Sequence, residues 1–308
     1  AQQRRRTGWG GRLAKYWRDK GLYQTSNPLG LNISVERSST TFNGERSNEL
    51  VLPAGRPIKI WGAGRAELNK SMIPLYSPVH NNAFLNVIAA RQKRAIELTA
   101  YLEEHWYSTY DYSKLTDPFD SALFALPDEQ LLGLDIQMHG KLIKQLETVA
   151  RMIEVGQREG LERQIFVVTM PGFDTHDEQH RRHHALLREL SLSLWHFQLA
   201  MQTLKLTDNV SLFTQSDFGR TLVPNNSGTD HGWGGIQIIM GAAAKGQLFG
   251  EMPDLRQTSE SMDKDQRGRI IPTIASEQIT AQMLKWIGVP ATDLPQILPS
   301  IGRFIGMS

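Results

Sequence analysis

Residues 164–176 read QIFVVTMPGFDTH: an apolar run rich in β-branched and aromatic side chains stops at a Pro-Gly pair and gives way to an acid and a histidine. A run this short, bounded by turn residues, predicts a buried strand. Upstream, Gln130–Val155 carries apolar residues at helical spacing and hands over through GQREGLER. Downstream, the spacing predicts a helix from about Glu178 to Leu204, a strand VSLFT at 210–214, a strand IQIIM at 236–240 and a closing helix SEQITAQMLKWIG. Helix and strand alternating in this way predict an α/β fold, with a largely parallel sheet flanked by helices on both faces.

The N-terminal part reads as irregular, with Gly, Pro, Ser and Asn scattered through it. LNISVE and NELVLP alternate as short strands, and Asn82 to about Trp106 has helical spacing. The expectation is a single α/β domain over 1–308, with residues 20–110 as a peripheral lid or insertion. Because the chain starts at Ala1, an upstream N-terminal portion is also expected.

Composition narrows the partners. Lys plus Arg is 34 against 32 for Asp plus Glu, a formal charge of +2, and the basic run QQRRR is short, so a nucleic-acid partner is not expected. No stretch reaches the roughly 18 apolar residues of a membrane-spanning helix. With no cysteine in the chain, a metal ion can be held only by His, Asp or Glu with further oxygen ligands.

Three polar clusters flank the predicted strands. Asp174 and His176 follow QIFVVT; Ser216, Asp217 and Arg220 follow VSLFT; Asp230 and His231 lie in GTDHGWGG just before IQIIM. Open α/β sheets hold ligands beyond the C-terminal ends of their strands, so these clusters are expected to converge. Two residues apart in an extended segment, Asp174 and His176 can offer an oxygen and a nitrogen to one cation. Asp174 serving as a helix cap is the plainer alternative. His180, His183 and His184 have a metal-compatible helical spacing, but they alternate with Arg181 and Arg182, which favours a solvated or site-rim face. His80, His105, His139 and His196 are isolated and read as structural. Arg220 reads either as a clamp for a tetrahedral anion or as a salt-bridge partner of Asp217. Asn225 and Asn226 read as ligand donors or as a turn, and Trp233 as a core residue in preference to a stacking platform.

Taken in order, TGWGGRL, GFDTHDEQ, TQSDFGRT, NNSGTDHGWGG, GAAAKGQLFG, GRIIPT and TAQMLKWIGV resemble an uncharacterised family, domain of unknown function 1501. Members commonly carry twin-arginine export signals, which implies a periplasmic or extracellular location. By fold that family resembles the alkaline phosphatase superfamily of phosphatases, sulfatases and phosphate mutases. The resemblance implies a metal-dependent hydrolase of small-molecule or polysaccharide phosphate or sulfate esters. Its ion would be zinc, calcium, magnesium or manganese. Asp174, His176 and His231 would hold one ion and Asp217 a second; Asp230, beside His231 and next to glycine-rich sequence, is a further candidate metal ligand read from the residues themselves. Many superfamily members have a histidine where Phe218 stands, so that second site would lack an imidazole. No nucleophile is assigned. The alternative is a non-catalytic cell-surface or periplasmic binding or scaffold protein that retains a metal site.

Overall fold

The computed structural model describes residues 7–22, 29–44, 49–59, 67, 70–71, 82–107, 109–117, 120–126, 138–244, 246–256 and 267–304. Chain packing divides it into two compact units, residues 1–114 with 144–169, and residues 115–143 with 170–308.

The first unit is built on β1 (Asn32–Val35), β2 (Glu49–Leu52) and β3 (Ile165–Val167), a parallel sheet in the order β2-β1-β3. All four residues of β1 are buried, as a central strand covered on both faces requires. Ile33 and Leu52 pack with Leu98, Leu102 and Trp106 of α2 (Ala83–Trp106) and with Met152 and Val155 of α3 (Lys141–Arg158). Each such aliphatic side chain contributes about 1.5–3 kcal/mol on burial. Asn82 starts α2 by accepting from the Phe84 and Leu85 amides at 2.8 and 3.4 Å. The predicted helix from Gln130 is observed only as α3, because residues 127–137 lie outside the described residues. Both β1 and β2 fall within the span expected to be peripheral, and β1 is the central strand of this sheet.

The first helix, α1 (Trp9–Asp19), was not expected, because Gly10 and Gly11 in its opening turn have low helix propensity. The glycines are there for clearance: a Cβ on Gly11 would lie 2.2 Å from the Asn43 carbonyl oxygen. Packing of Leu13, Tyr16 and Trp17 outweighs the weak local preference.

The second unit contains α4 (Gln179–Thr203), β4 (Ser211–Phe213), β5 (Gly219–Asn225), β6 (Gly228–Gly232), β7 (Ile239–Gly241), α5 (Ser276–Trp286) and the short α6 (Leu294–Ile297). Leu186, Leu192, Leu194, Phe197 and Met201 form the buried face of α4. Within that face, His196 is fully enclosed and bonded to Asp117 at 3.0 Å, in keeping with the structural role expected of it.

The architecture is mixed α/β with a small three-stranded parallel sheet. The larger parallel sheet flanked by helices is not seen among the described residues. VSLFT, expected to lie parallel in one sheet with QIFVVT, forms β4 and pairs antiparallel with β7. An apolar run shows that a strand is covered, but it does not choose the strand's neighbour or direction. IQIIM becomes a strand only from Ile239, since Ile236 is 84% exposed after the Gly234-Gly235 pair.

Candidate functional site

The site lies wholly within the second unit and has two parts: the loop carrying Asp174 and His176 ahead of α4, and the β5–β6 hairpin. The hairpin turns at Asn226, whose φ of 48° is of the kind asparagine tolerates, and β5 pairs β6 through Gly219↔Gly232 and Arg220↔His231. Asn226 and Ser227 therefore form the turn, and Asn225 closes β5 as the partner of Gly228.

Backbone contact docks the hairpin on the loop. The Thr229 amide donates to the Thr175 carbonyl at 3.3 Å. Gly228 passes so close that a Cβ there would lie 2.3 Å from the His176 carbonyl carbon and oxygen. Ser227 in the turn accepts from the first amides of α4: its carbonyl from Gln179 N and its hydroxyl from Glu178 N, both at 3.0 Å. The helix start is thus satisfied by the hairpin, and Asp174 is not its cap.

Asp174 is committed to the site instead. Its Oδ1 lies 2.7 Å from His231 Nε2, 2.9 Å from Arg220 Nη1 and 3.0 Å from His176 Nε2. The bond from His231, then the bond from Arg220, holds the Asp174 carboxyl below its ordinary range, so it is anionic at neutral pH. One ligand atom from each of Asp174, His176 and His231 lies within 4.8 Å of the other two. Two imidazole nitrogens and a carboxylate oxygen are a donor set that suits a transition-metal ion, and ligands about 2.0–2.2 Å from a common ion need only a small outward movement from this spacing.

The remaining predicted residues stand differently. Asp230 is outside the three-ligand group, with its Oδ1 3.4 Å from His176 Nδ1 and 2.6 Å from Asn225 Nδ2. Asp217 faces solvent, because Ser216 closes the turn beside it by donating to the Phe218 carbonyl at 2.7 Å. Arg220 pairs with Asp174 rather than Asp217; its Nε donates to Thr229 Oγ1 at 3.0 Å and its Nη2 to the Thr229 carbonyl. Trp233, expected in the core, is 57% exposed among the hairpin glycines.

His180 and His184 are exposed and contact one another, and neither joins the ligand group. His183 is half-buried at the site's edge, 5.9 Å edge-on from Phe173, and burial followed by the charge of Arg220 pushes its pKa down. His105 stacks on Tyr101 at 4.0 Å, and His80 lies outside the described residues.

The sequence pointed to neither Thr229 nor Gln179, and to Phe218 only as a missing imidazole at a second ion site. Thr229 Oγ1 receives Arg220 Nε and donates to Gln179 Oε1 at 2.6 Å. Phe218 stacks on His231 with ring centroids 4.4 Å apart. The only signal of Thr229 and Gln179 in the sequence was proximity to charged neighbours.

Residues 142–266 match the model of a family described as a protein of unknown function, DUF1501. That span contains every site residue named above and supports the resemblance to this family. No curated protein and no solved structure gives a match.

Proposed function

We propose that the protein binds a divalent metal ion through Asp174, His176 and His231 and hydrolyses a phosphate or sulfate ester there, in the periplasm or outside the cell. The observation that carries the ion site is the convergence of one carboxylate oxygen and two imidazole nitrogens from segments distant in sequence. The ester class rests on the resemblance of the ordered motifs to the alkaline phosphatase superfamily. The larger parallel sheet belongs to that same comparison.

When bound, the ion would supply Lewis acidity to an ester oxygen. Asp174 enters as an anion. His176 presents Nε2 towards Asp174 while its Nδ1 faces Asp230, an arrangement in which an outer carboxylate favours the proton on Nδ1 and frees Nε2 as a ligand. Arg220, with two guanidinium hydrogens beyond the three bonds it makes, places positive charge beside the same oxygen for a substrate anion. Thr229 Oγ1 is engaged and Thr175 is buried, so neither is assigned as a nucleophile.

Arg220 also favours the second reading, a binding or scaffold protein that retains the ion without catalysis, since each of its nitrogens already donates within the protein. The test combines metal content after loading with zinc, manganese, magnesium or calcium and turnover of aryl phosphate and aryl sulfate. Stoichiometric ion binding with turnover, both lost in Asp174→Asn and His231→Gln and both kept in His183→Gln and His184→Gln, is the expected result. Binding without turnover selects the scaffold reading. Failure of every ion to bind defeats both.

A further inference from the structure

His231 stands on a hairpin with half of its side chain exposed, and the torsion that sets an imidazole plane is intrinsically broad. Its neighbours Gly232 and, across the ladder, Gly219 have no side chain to wall it in. Arg220 is opposite His231, so Phe218, two residues before Arg220, is a diagonal neighbour on the same face. Its ring lies nearly parallel to the imidazole, 9° between planes and 4.4 Å between centroids. The backbone under Phe218 is constrained from both sides. Ser216 Oγ bonds its carbonyl at 2.7 Å, and Gly219 is pressed so closely on Gly234 that a Cβ would lie 1.8 Å from the Gly234 oxygen.

The geometry points to Phe218 as the positioning residue of this site: its ring fixes the plane of the His231 imidazole so that Nε2 is directed at the point shared with Asp174 and His176. This role rests on the metal-ion reading of the site. Phe218 touches no substrate and acts through His231, although its ring centroid also lies 5.8 Å from the Arg220 guanidinium carbon. A flat hydrocarbon face suits the task, because it packs the imidazole without offering a competing donor or acceptor.

The test uses the full chain as wild type, Phe218→Ala, Phe218→Leu and Phe218→Tyr, each shown to be folded by its thermal transition. In the metal-free proteins, the His231 ring proton resonance, assigned by its loss in His231→Gln, should be shifted upfield by the stacked ring in wild type and Phe218→Tyr. It should return to the position of an exposed imidazole in Phe218→Ala and Phe218→Leu. Cobalt(II) titrated as the probe, read by its visible absorption, should bind about 10–100-fold more weakly to Phe218→Ala and Phe218→Leu, with affinity and spectrum restored in Phe218→Tyr. Cobalt binding undiminished in Phe218→Leu, or equal losses in Phe218→Tyr and Phe218→Ala, overturns the role of Phe218 alone. A wild type with the upfield resonance but no cobalt binding overturns the ion reading, and this role with it.

Discussion

Arg220 Nη1 lies 2.9 Å from Asp174 Oδ1, the oxygen that an ion shared with His176 and His231 would use. If the proposed ion binds there, a fixed positive charge and the cation would compete for one carboxylate. Arg220→Gln keeps hydrogen-bond donors but removes the charge, and it should tighten zinc binding on the order of tenfold by relieving repulsion across a solvent-screened gap. Affinity for sulfate should weaken by a similar factor. Isothermal titration with each ion reads both, and weaker zinc binding in the variant would mean that Arg220 chiefly holds Asp174 in place.

The enclosed pair Asp117–His196 predicts a pH dependence of stability. His196 Nδ1 faces the Phe124 amide at 3.2 Å and so accepts from it, which leaves the ring proton on Nε2, donated to Asp117 Oδ2 at 3.0 Å. Burial, opposed by Asp117, lowers the His196 pKa from 6.5. A histidine depressed on folding binds its proton more readily when unfolded, so its contribution is complete above that ordinary value and is lost as pH falls towards the folded pKa. Urea unfolding between about pH 7 and pH 5 should show stability falling more steeply in wild type than in His196→Gln. Asp117→Ala, which strands the Nε2 proton, should cost about 2–4 kcal/mol at neutral pH.

Gly219 has no room for a side chain, because the Gly234 oxygen and carbon would lie 1.8 and 2.7 Å from its Cβ and both are backbone. Gly219→Ala should therefore force the hairpin away from that segment, at a cost of about 3 kcal/mol or more. Gly288→Ala is the comparison: φ is +95° there but nothing lies within 4 Å, so the cost should be nearer 1 kcal/mol. Similar melting temperatures for the two variants would contradict this account of the hairpin.

Elements whose local pattern and packing agree are legible in the sequence alone. Asn82 followed by helical spacing gave α2, the charged and leucine-rich stretch gave α4, and QIFVVT and VSLFT gave strands, though with ends shortened by a residue or two. Helix α1 was not legible, since its glycines lower local propensity and are required only by the Asn43 backbone they approach. The hairpin was hidden as well: SDFGRT and GTDHG look like loops until Gly219 and Gly232 are seen to pair.

By itself, the sequence determined the kinds of groups available: no thiolate, acids and imidazoles in DTH and TDH, an arginine after VSLFT, and mixed α/β segments. Only the tertiary structure decided which of them meet. It placed Asp174 against His231 and Arg220, left Asp217 in solvent, set Asp230 beside His176, and stacked Phe218 on His231. The physical reason is range. Propensity and periodicity act over a few residues, whereas the meeting of residues 174 and 231 depends on the docking of the Gly228–Thr229 backbone against Thr175 and His176, which requires close packing between distant segments and has no signature within either one.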